Sequence, residues 1–455
     1  MEKESYQNVN LIVGAGITGL TAAYCLVRAG ERCLLVESES EVGGLCRTYV
    51  IDDIPFDFGP HVFFADPDSD VKKFTMDLLK DEEVLYRPYR FAIHVNGKFW
   101  KFPISLTEVF RYPWKYKKEI LKSFLKKNKP NPIDEHSLAD FIMEKSGQAY
   151  YSDLLELLID KKTLMPGWKL HRDWWLRTER NINNEVEPFI APIKAGRLLE
   201  RIFRKLFPWY NYPLKGYGRI PQILWERFHE CGGETILNCG QISLACHGRS
   251  ITHATVKGRT VPIKNVIWTG SINALNSLLN VNVPKLPYVD MIIACFTFNK
   301  KTSYKRPFIY TYHPQEDLIF NRIYYPANIY GNNLPSDQEG LCMELNVTDS
   351  IREMTEEAII DSILQGVDKL GLYKKEALRG KRLFLLKNCL PVYGLDYKKR
   401  LKYVFSEVHR IHNLYAIGRM GGHFFCLSPS AINQGLKIAN HLLNEPKSTI
   451  KLEKN

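Results

Sequence analysis

Between Val9 and Gly30 the chain reads VNLIVGAGITGLTAAYCLVRAG. The segment VNLIV, Val9 to Val13, has the makeup of a buried strand; it runs straight into three glycines and then into a stretch whose apolar residues recur at helical spacing. Strand, glycine turn and helix in this order form a dinucleotide-binding unit. Gly14 permits the tight turn, Gly16 lets a pyrophosphate approach the backbone, and Gly19 lets the helix pack against the strand. The helix starts at the phosphates, where free amides and the positive end of its dipole favour negative charge. A second strand, ERCLLVE, ends at Glu37, about 20 residues past the turn, where an acid accepts hydrogen bonds from a ribose. An acid there also argues against a 2′-phosphate and hence against NADP. The plainer alternative is a tight strand-to-helix turn without a ligand.

Directly after Glu37 comes SESEVGGLCRTY, with Gly43 and Gly44 adjacent and Arg47 and Thr48 just beyond. This segment resembles the second glycine motif of the FAD-dependent amine oxidase and protoporphyrinogen oxidase superfamily. The resemblance implies that the dinucleotide is FAD, that the glycine pair lets backbone approach it, and that the arginine lies by the flavin side of the pyrophosphate. It returns near the other end, where NLYAIGRMGG sets Gly418 and Arg419 between a short apolar strand and the helix-like SAINQGLKIANHLL. In the superfamily this element closes over the pyrophosphate and ribityl chain. Motifs at both ends imply an interleaved α/β architecture. A Rossmann-type FAD-binding domain with a parallel sheet takes 1–65, 210–290 and 385–445, an α+β substrate or cap domain takes 66–209 and 291–384, and 446–455 is a tail.

Internal segments narrow the resemblance. FDFGPHVFF, Phe56 to Phe64, is similar to a segment of UDP-galactopyranose mutases and of mutase-like proteins, which implies that His61 sits by the isoalloxazine. An imidazole there is able to exchange a proton near neutral pH, whereas the bland alternative has it satisfying a loop carbonyl. FAIHVNGKFWKFP, residues 91–103, carries an Asn96–Gly97 hairpin signal and ends in Phe102 and Pro103, as in the mutase-like group. YPLKGYGRIPQILWERF and LPVYGLDYKKRL resemble the segments that re-enter the FAD domain and precede its closing motif. There are departures too. A tyrosine and an aspartate that hold the sugar diphosphate and flavin in the mutases are here Phe425 and Leu427, and a tryptophan near the uridine is here Leu164. Losing a hydroxyl and a carboxylate argues against the same substrate in the same pose.

The 455 residues carry 62 Lys and Arg against 50 Asp and Glu, a net +12 that suits an anionic substrate and also serves as a solubility surplus. No apolar run reaches the length of a membrane span, and MEKESYQNVN lacks a signal peptide's layout, so a cytoplasmic protein is expected. Ten cysteines show neither CxxC nor metal-ligand spacing, and no metal site is expected. From Arg111 to Lys129 eight basic residues and one acid interleave with aromatics and leucines. Such a helix lies on an anionic membrane or, the plainer reading, packs on the cap domain with its lysines solvated; a basic wall for a phosphorylated substrate is a third option. No nucleic-acid module accompanies it. Arg177 and Arg180, three apart, suit an anion or an interdomain ion pair, and Tyr310, Tyr312, Tyr324 and Tyr325 suit either a cleft or a core.

The leading expectation is an FAD-dependent oxidoreductase that takes hydride from a small organic substrate. His61 would handle the proton and Arg419 the anion or flavin electrostatics, while Gly14, Gly16, Gly19, Glu37, Gly43, Gly44, Arg47, Thr48, Gly418 and Arg419 hold the cofactor. The alternatives are a flavin-dependent isomerase acting on a nucleotide sugar and a non-catalytic flavin-binding protein peripheral to a membrane.

Overall fold

The computed structural model describes residues 8–61, 63, 69–88, 90–95, 97–101, 114, 118, 137–176, 209–300 and 307–444. Two seven-stranded sheets organise it. In the first, Val9–Val13 lies between Cys33–Val36 and Arg259–Trp268, parallel to both, and Glu234–Ile236 extends the Cys33–Val36 side. Such strands are covered on both faces, which explains their unbroken apolar runs; Leu11, Ile12, Leu35, Val36, Val266 and Ile267 are buried. Arg259–Trp268 is long enough to serve twice. Its first half pairs antiparallel with Ser250–Val256, and its last three residues pair with Leu414–Ala416. The strand before the closing glycine motif therefore joins the sheet that begins with the first.

The helix Ile17–Arg28 follows the first turn and packs against both Arg219–Glu230 and Ser428–Asn444. A side chain at Gly435 would lie 2.7 Å from the Thr18 carbonyl, so a small residue sets the closeness of that crossing. Segments far apart in the chain thus form one three-helix layer.

The second sheet runs Leu378–Pro391, Tyr288–Asn299, Gln338–Asn346, Arg322–Tyr324, Tyr310–Tyr312, Phe91–Val95 and Lys98–Lys101. All neighbours are antiparallel except Tyr310–Tyr312 with Phe91–Val95. The strands on either side of the Asn-Gly signal pair antiparallel, with Val95 opposite Lys98 and Gly97 at φ +71°. One face holds Ile292, Phe296, Phe298, Met343 and Leu345 against the helix Glu356–Lys369. The opposite face looks toward the first sheet. Residues directly opposite in register share a face, so Ile93, Tyr312, Arg322, Glu344, Ile293 and Phe384 form one row across six strands.

The segment SLADFIMEKSGQAYYSDLLELLIDKK, apolar at helical spacing, is not one continuous helix. Ser137 caps Leu138–Ser146, Gly147 ends that helix at φ +93°, and the continuation contains a π turn at Tyr151–Leu155 before Glu156–Thr163. Glycine supplies the positive φ at no steric cost, which lets the chain restart in a new direction. Most of the basic stretch 111–129, together with Asn96, Phe102, Pro103, Arg177, Arg180 and the tail 446–455, lies outside the described residues. No helix among the described residues is long and apolar enough to cross a membrane.

Candidate functional site

Three glycines make the first turn, each in its own way. Gly14 has φ +103°, and a Cβ on it would lie 2.4 Å from Thr269 Oγ1. A Cβ on Gly19 would lie 2.1 Å from the Gly14 carbonyl oxygen, so helix and strand touch through bare backbone. Gly16 is the opposite case: nothing lies within 4 Å of a Cβ there. That opening is where a phosphate can reach the backbone.

The second glycine pair packs onto the first turn. Gly43 N donates to Ala15 O at 2.8 Å, Gly43 bridges Gly16, and a Cβ on Gly44 would be 3.3 Å from Gly16 Cα. Both Gly43 and Gly44 have positive φ. Glu37 sits one residue past its strand, accepting from Ala15 N at 2.7 Å through one oxygen and from Glu39 N at 3.0 Å through the other. Its carboxylate is thus fixed at the lip of the turn. From the far end of the chain, Gly418 (φ +82°) comes against Thr18 of the first helix, and its amide donates to Gln434 Oε1 at 2.8 Å. Only a single turn, Gly418–Gly421, follows it, and the long helix starts at Ser428. Backbone amides, positive-φ glycines and one fixed acid fit an adenine dinucleotide.

The other residues singled out from sequence are tied into the frame of this cradle. Arg47 Nε donates to Gly44 O at 3.1 Å, and its guanidinium lies 4.7 Å from the Phe58 ring centre. Thr48 donates to Asp57 Oδ1 and accepts from Gly218 N at 2.8 Å, joining the hairpin Thr48–Asp57 to the re-entering segment. Arg419 donates through Nε and Nη2 to Cys426 O, its Nε at 3.1 Å, and lies over Phe425 at 5.2 Å.

His61 stacks on Tyr217 at 5.0 Å, with Nε2 2.7 Å from Leu45 O. Burial pushes its pKa down to about 4, and the Arg419 and Arg322 charges act in the same direction. The ring is therefore neutral at pH 7, with the Nε2 proton donated to a carbonyl. That contact is the plainer of the two expectations for His61, an imidazole bonded to a loop carbonyl.

The facing wall was missed from sequence. Arg322 pairs with Glu344, which is 2% exposed, and a Cβ on Gly59 of FDFGPH would lie 2.6 Å from Glu344 Oε1. Gly59, at φ +97°, is thus the point where the cofactor side meets the sheet. Tyr312, opposite Arg322, accepts from Arg322 Nη1 at 3.5 Å and from Lys162 Nζ at 3.4 Å. Lys162 lies 5.8 Å over Trp174, which stacks on Phe425 at 2° and 5.6 Å. A belt runs from Arg419 through Phe425, Trp174, Lys162 and Tyr312 to Arg322. Three distant segments build it, 162–174, 312–322 and 419–425, and its sequence signals were Arg419, Phe425 and the tyrosine run at 310–325. Among the described residues no group of His, Cys, Asp or Glu could hold a metal, and the ten cysteines form no disulfide.

A Rossmann-type dinucleotide-binding body interleaved with a mixed second sheet defines the class: the chain shares the fold of a UDP-galactopyranose mutase and of a putrescine oxidase. In particular, residues 12–78 match the NAD(P)-binding Rossmann-like domain family. A reduced UDP-galactopyranose mutase superposes with a TM-score of 0.76 at 19% identity, covering 96% of this chain and 94% of that one. A putrescine oxidase variant redesigned in its cofactor site superposes with a TM-score of 0.64 at 14% identity, covering 96% and 99%. Identities this low make the likeness one of fold. Among curated proteins, the inactive all-trans-retinol 13,14-reductase of Danio rerio is 26% identical over 185 residues, which are 40% of this chain and 27% of that protein.

Proposed function

We propose that this chain binds FAD and acts as an FAD-dependent oxidoreductase on a small, anionic organic substrate. The observation that carries the reading is the meeting of a bare-backbone cradle, built from both ends of the chain, with a wall of cations and aromatics on the second sheet. In this reading the amides of the first turn and the start of the Ile17–Arg28 helix take the pyrophosphate, and Glu37 takes the ribose hydroxyls. Gly43, Gly44, Arg47, Gly418 and Arg419 flank the rest. Bound there, the flavin supplies a two-electron acceptor for hydride.

The chain's own residues bind, orient and exclude water. Arg322 and Lys162 draw an anionic group toward the sheet, and Arg322 is held in place by Glu344. Trp174 and Phe425 supply a flat apolar wall, and the buried row around Tyr312 keeps water from the reacting atoms. His61, neutral, donates and does not titrate.

Anaerobic addition of substrate is expected to bleach the flavin band near roughly 450 nm. Purified protein that is colourless and cannot be reconstituted with FAD overturns the reading. One observation supports a second reading, a flavin-dependent isomerase acting on a nucleotide sugar: the two cations facing the cradle suit a diphosphate. Phe425 and Leu427 oppose it, because neither offers a hydroxyl or carboxylate to the sugar. Activity that requires prior flavin reduction but consumes no reductant identifies the isomerase.

A further inference from the structure

We propose that Tyr312 is the proton acceptor of this site, a phenolate held between two cations that takes the substrate's N–H or O–H proton as its neighbouring C–H is oxidised. The inference rests on the oxidoreductase reading and names the base that reading needs. The step balances. With the flavin bound as two-electron acceptor, the hydrogen of the substrate C–H bond would leave as hydride, the N–H or O–H proton would pass to the Tyr312 phenolate to give the neutral phenol, and a C=N or C=O bond would form.

The placement of the hydroxyl carries the argument. Lys162 Nζ at 3.4 Å and Arg322 Nη1 at 3.5 Å both donate to Tyr312 Oη, so its oxygen is solvated as an acceptor and neither contact uses its proton. The same two cations lie over the ring, Lys162 Nζ at 5.1 Å and Arg322 Cζ at 5.6 Å from its centre. Charged and polar groups face it from several elements, Lys162 from Glu156–Thr163, Arg322 from the next strand, Glu344 from the strand beyond and Tyr310 from its own, while the parallel strand Phe91–Val95 sets apolar Ile93 and Phe91 against it. Burial raises the Tyr312 pKa and Glu344 adds to that, but Lys162 and Arg322 outweigh both and hold the phenol below its ordinary range. The other polar groups are poorer bases. Lys162 and Arg322 are donors only, and the Nε2 proton of His61 is committed to Leu45.

The test is an ultraviolet phenolate titration of the flavoprotein and of Tyr312→Phe, paired with anaerobic flavin reduction across pH. Wild type is expected to develop one phenolate clearly below the ordinary value of about 10 that Tyr312→Phe lacks. Lys162→Met moves that step up by about one pH unit or more. Flavin reduction in Tyr312→Phe falls by about 100-fold and loses its low-pH limb. Identical titrations of wild type and Tyr312→Phe overturn the proposal, and so does reduction at the wild-type rate with an unchanged pH profile. Wild-type flavin that no substrate bleaches overturns the oxidoreductase reading instead, and the titration distinguishes the two failures because it needs no substrate.

Discussion

The cofactor cradle and the wall facing it are built from different materials. The cradle is backbone: its key positions are glycines, and what they contribute is the absence of a side chain. The wall is side chain, a register-matched row of charged and aromatic groups from strands separated by tens to hundreds of residues. A backbone site fails by intrusion, whereas a side-chain site fails by loss of a partner. Substitutions in the two regions should therefore fail in recognisably different ways.

The largest effect is expected inside the cradle, and it splits two glycines that look alike in sequence. Gly19→Val drives a branched side chain into the Gly14 carbonyl, 2.1 Å from its Cβ, and should abolish flavin binding and cost about 3 kcal/mol or more of stability. Gly16→Trp, pointing into open space, should leave thermal unfolding of the apoprotein near wild type while flavin content falls to background. Equal destabilisation of the two variants would mean that the Gly16 opening is filled by protein and is no ligand space.

In the wall, Glu344→Ala removes the partner of half-buried Arg322 without adding bulk. A charge stranded there is expected to cost about 3–5 kcal/mol, read by chemical denaturation. Glu344→Gln should recover part of that loss, because an amide still accepts a hydrogen bond from the guanidinium. A Glu344→Ala variant as stable as wild type would show that Arg322 reaches solvent, and the wall would not be the sealed row described above.

This contrast also explains what could be read in advance. The first turn is local: spacing of glycines, a strand before and an acid after specify it within some 30 residues, and Gly14, Gly16, Gly19 and Glu37 fall where that spacing puts them. Gly43, Gly44 and Gly418 needed a family resemblance, since nothing local says that they contact Gly16 or Thr18. The wall was illegible because register decides it. Which of Tyr310, Tyr312, Tyr324 and Tyr325 share a face with Arg322 depends on how strands with long connections align, and sequence alone does not settle that. His61 is a subtler case. Its neighbourhood was anticipated, but its protonation is set by desolvation and by cations from two other segments.

Asp57 lies where the two regions meet and gives an intermediate effect. It is fully buried; its Oδ1 accepts from Thr48 and from Tyr217 N at 3.0 Å, while Oδ2 has no partner among the described residues. Burial raises its pKa to about 7, against the opposing pull of those two hydrogen bonds. An unfolded aspartate releases its proton near pH 3.9, roughly, so between about pH 4 and pH 7 the unfolded chain ionises while the folded one keeps the proton. Stability should therefore fall across that window, by on the order of 3 kcal/mol, and level off above it. Denaturation midpoints of wild type and Asp57→Asn at about pH 4.5 and pH 8 check the sign: the fall should be smaller in the variant, and parallel curves would show that Asp57 is ionised in the fold.

The smallest effect returns to the cradle, at the one place where it does use a side chain. Glu37 holds Ala15 N at 2.7 Å and Glu39 N at 3.0 Å, so its carboxylate shapes the turn even before a ribose arrives. Glu37→Gln keeps one acceptor oxygen and removes the charge, which reduces charge-assisted bonds to ordinary ones and costs about 1 kcal/mol. That corresponds to roughly a fivefold weaker affinity for FAD, measurable by fluorescence as the cofactor is released, with little change in unfolding of the apoprotein. A loss of a hundredfold or more would move Glu37 into the class of the glycines, a residue on which the shape of the turn itself depends. No loss at all would mean that the ribose is held elsewhere, and that the acid serves only to tie Ala15 to the end of its strand.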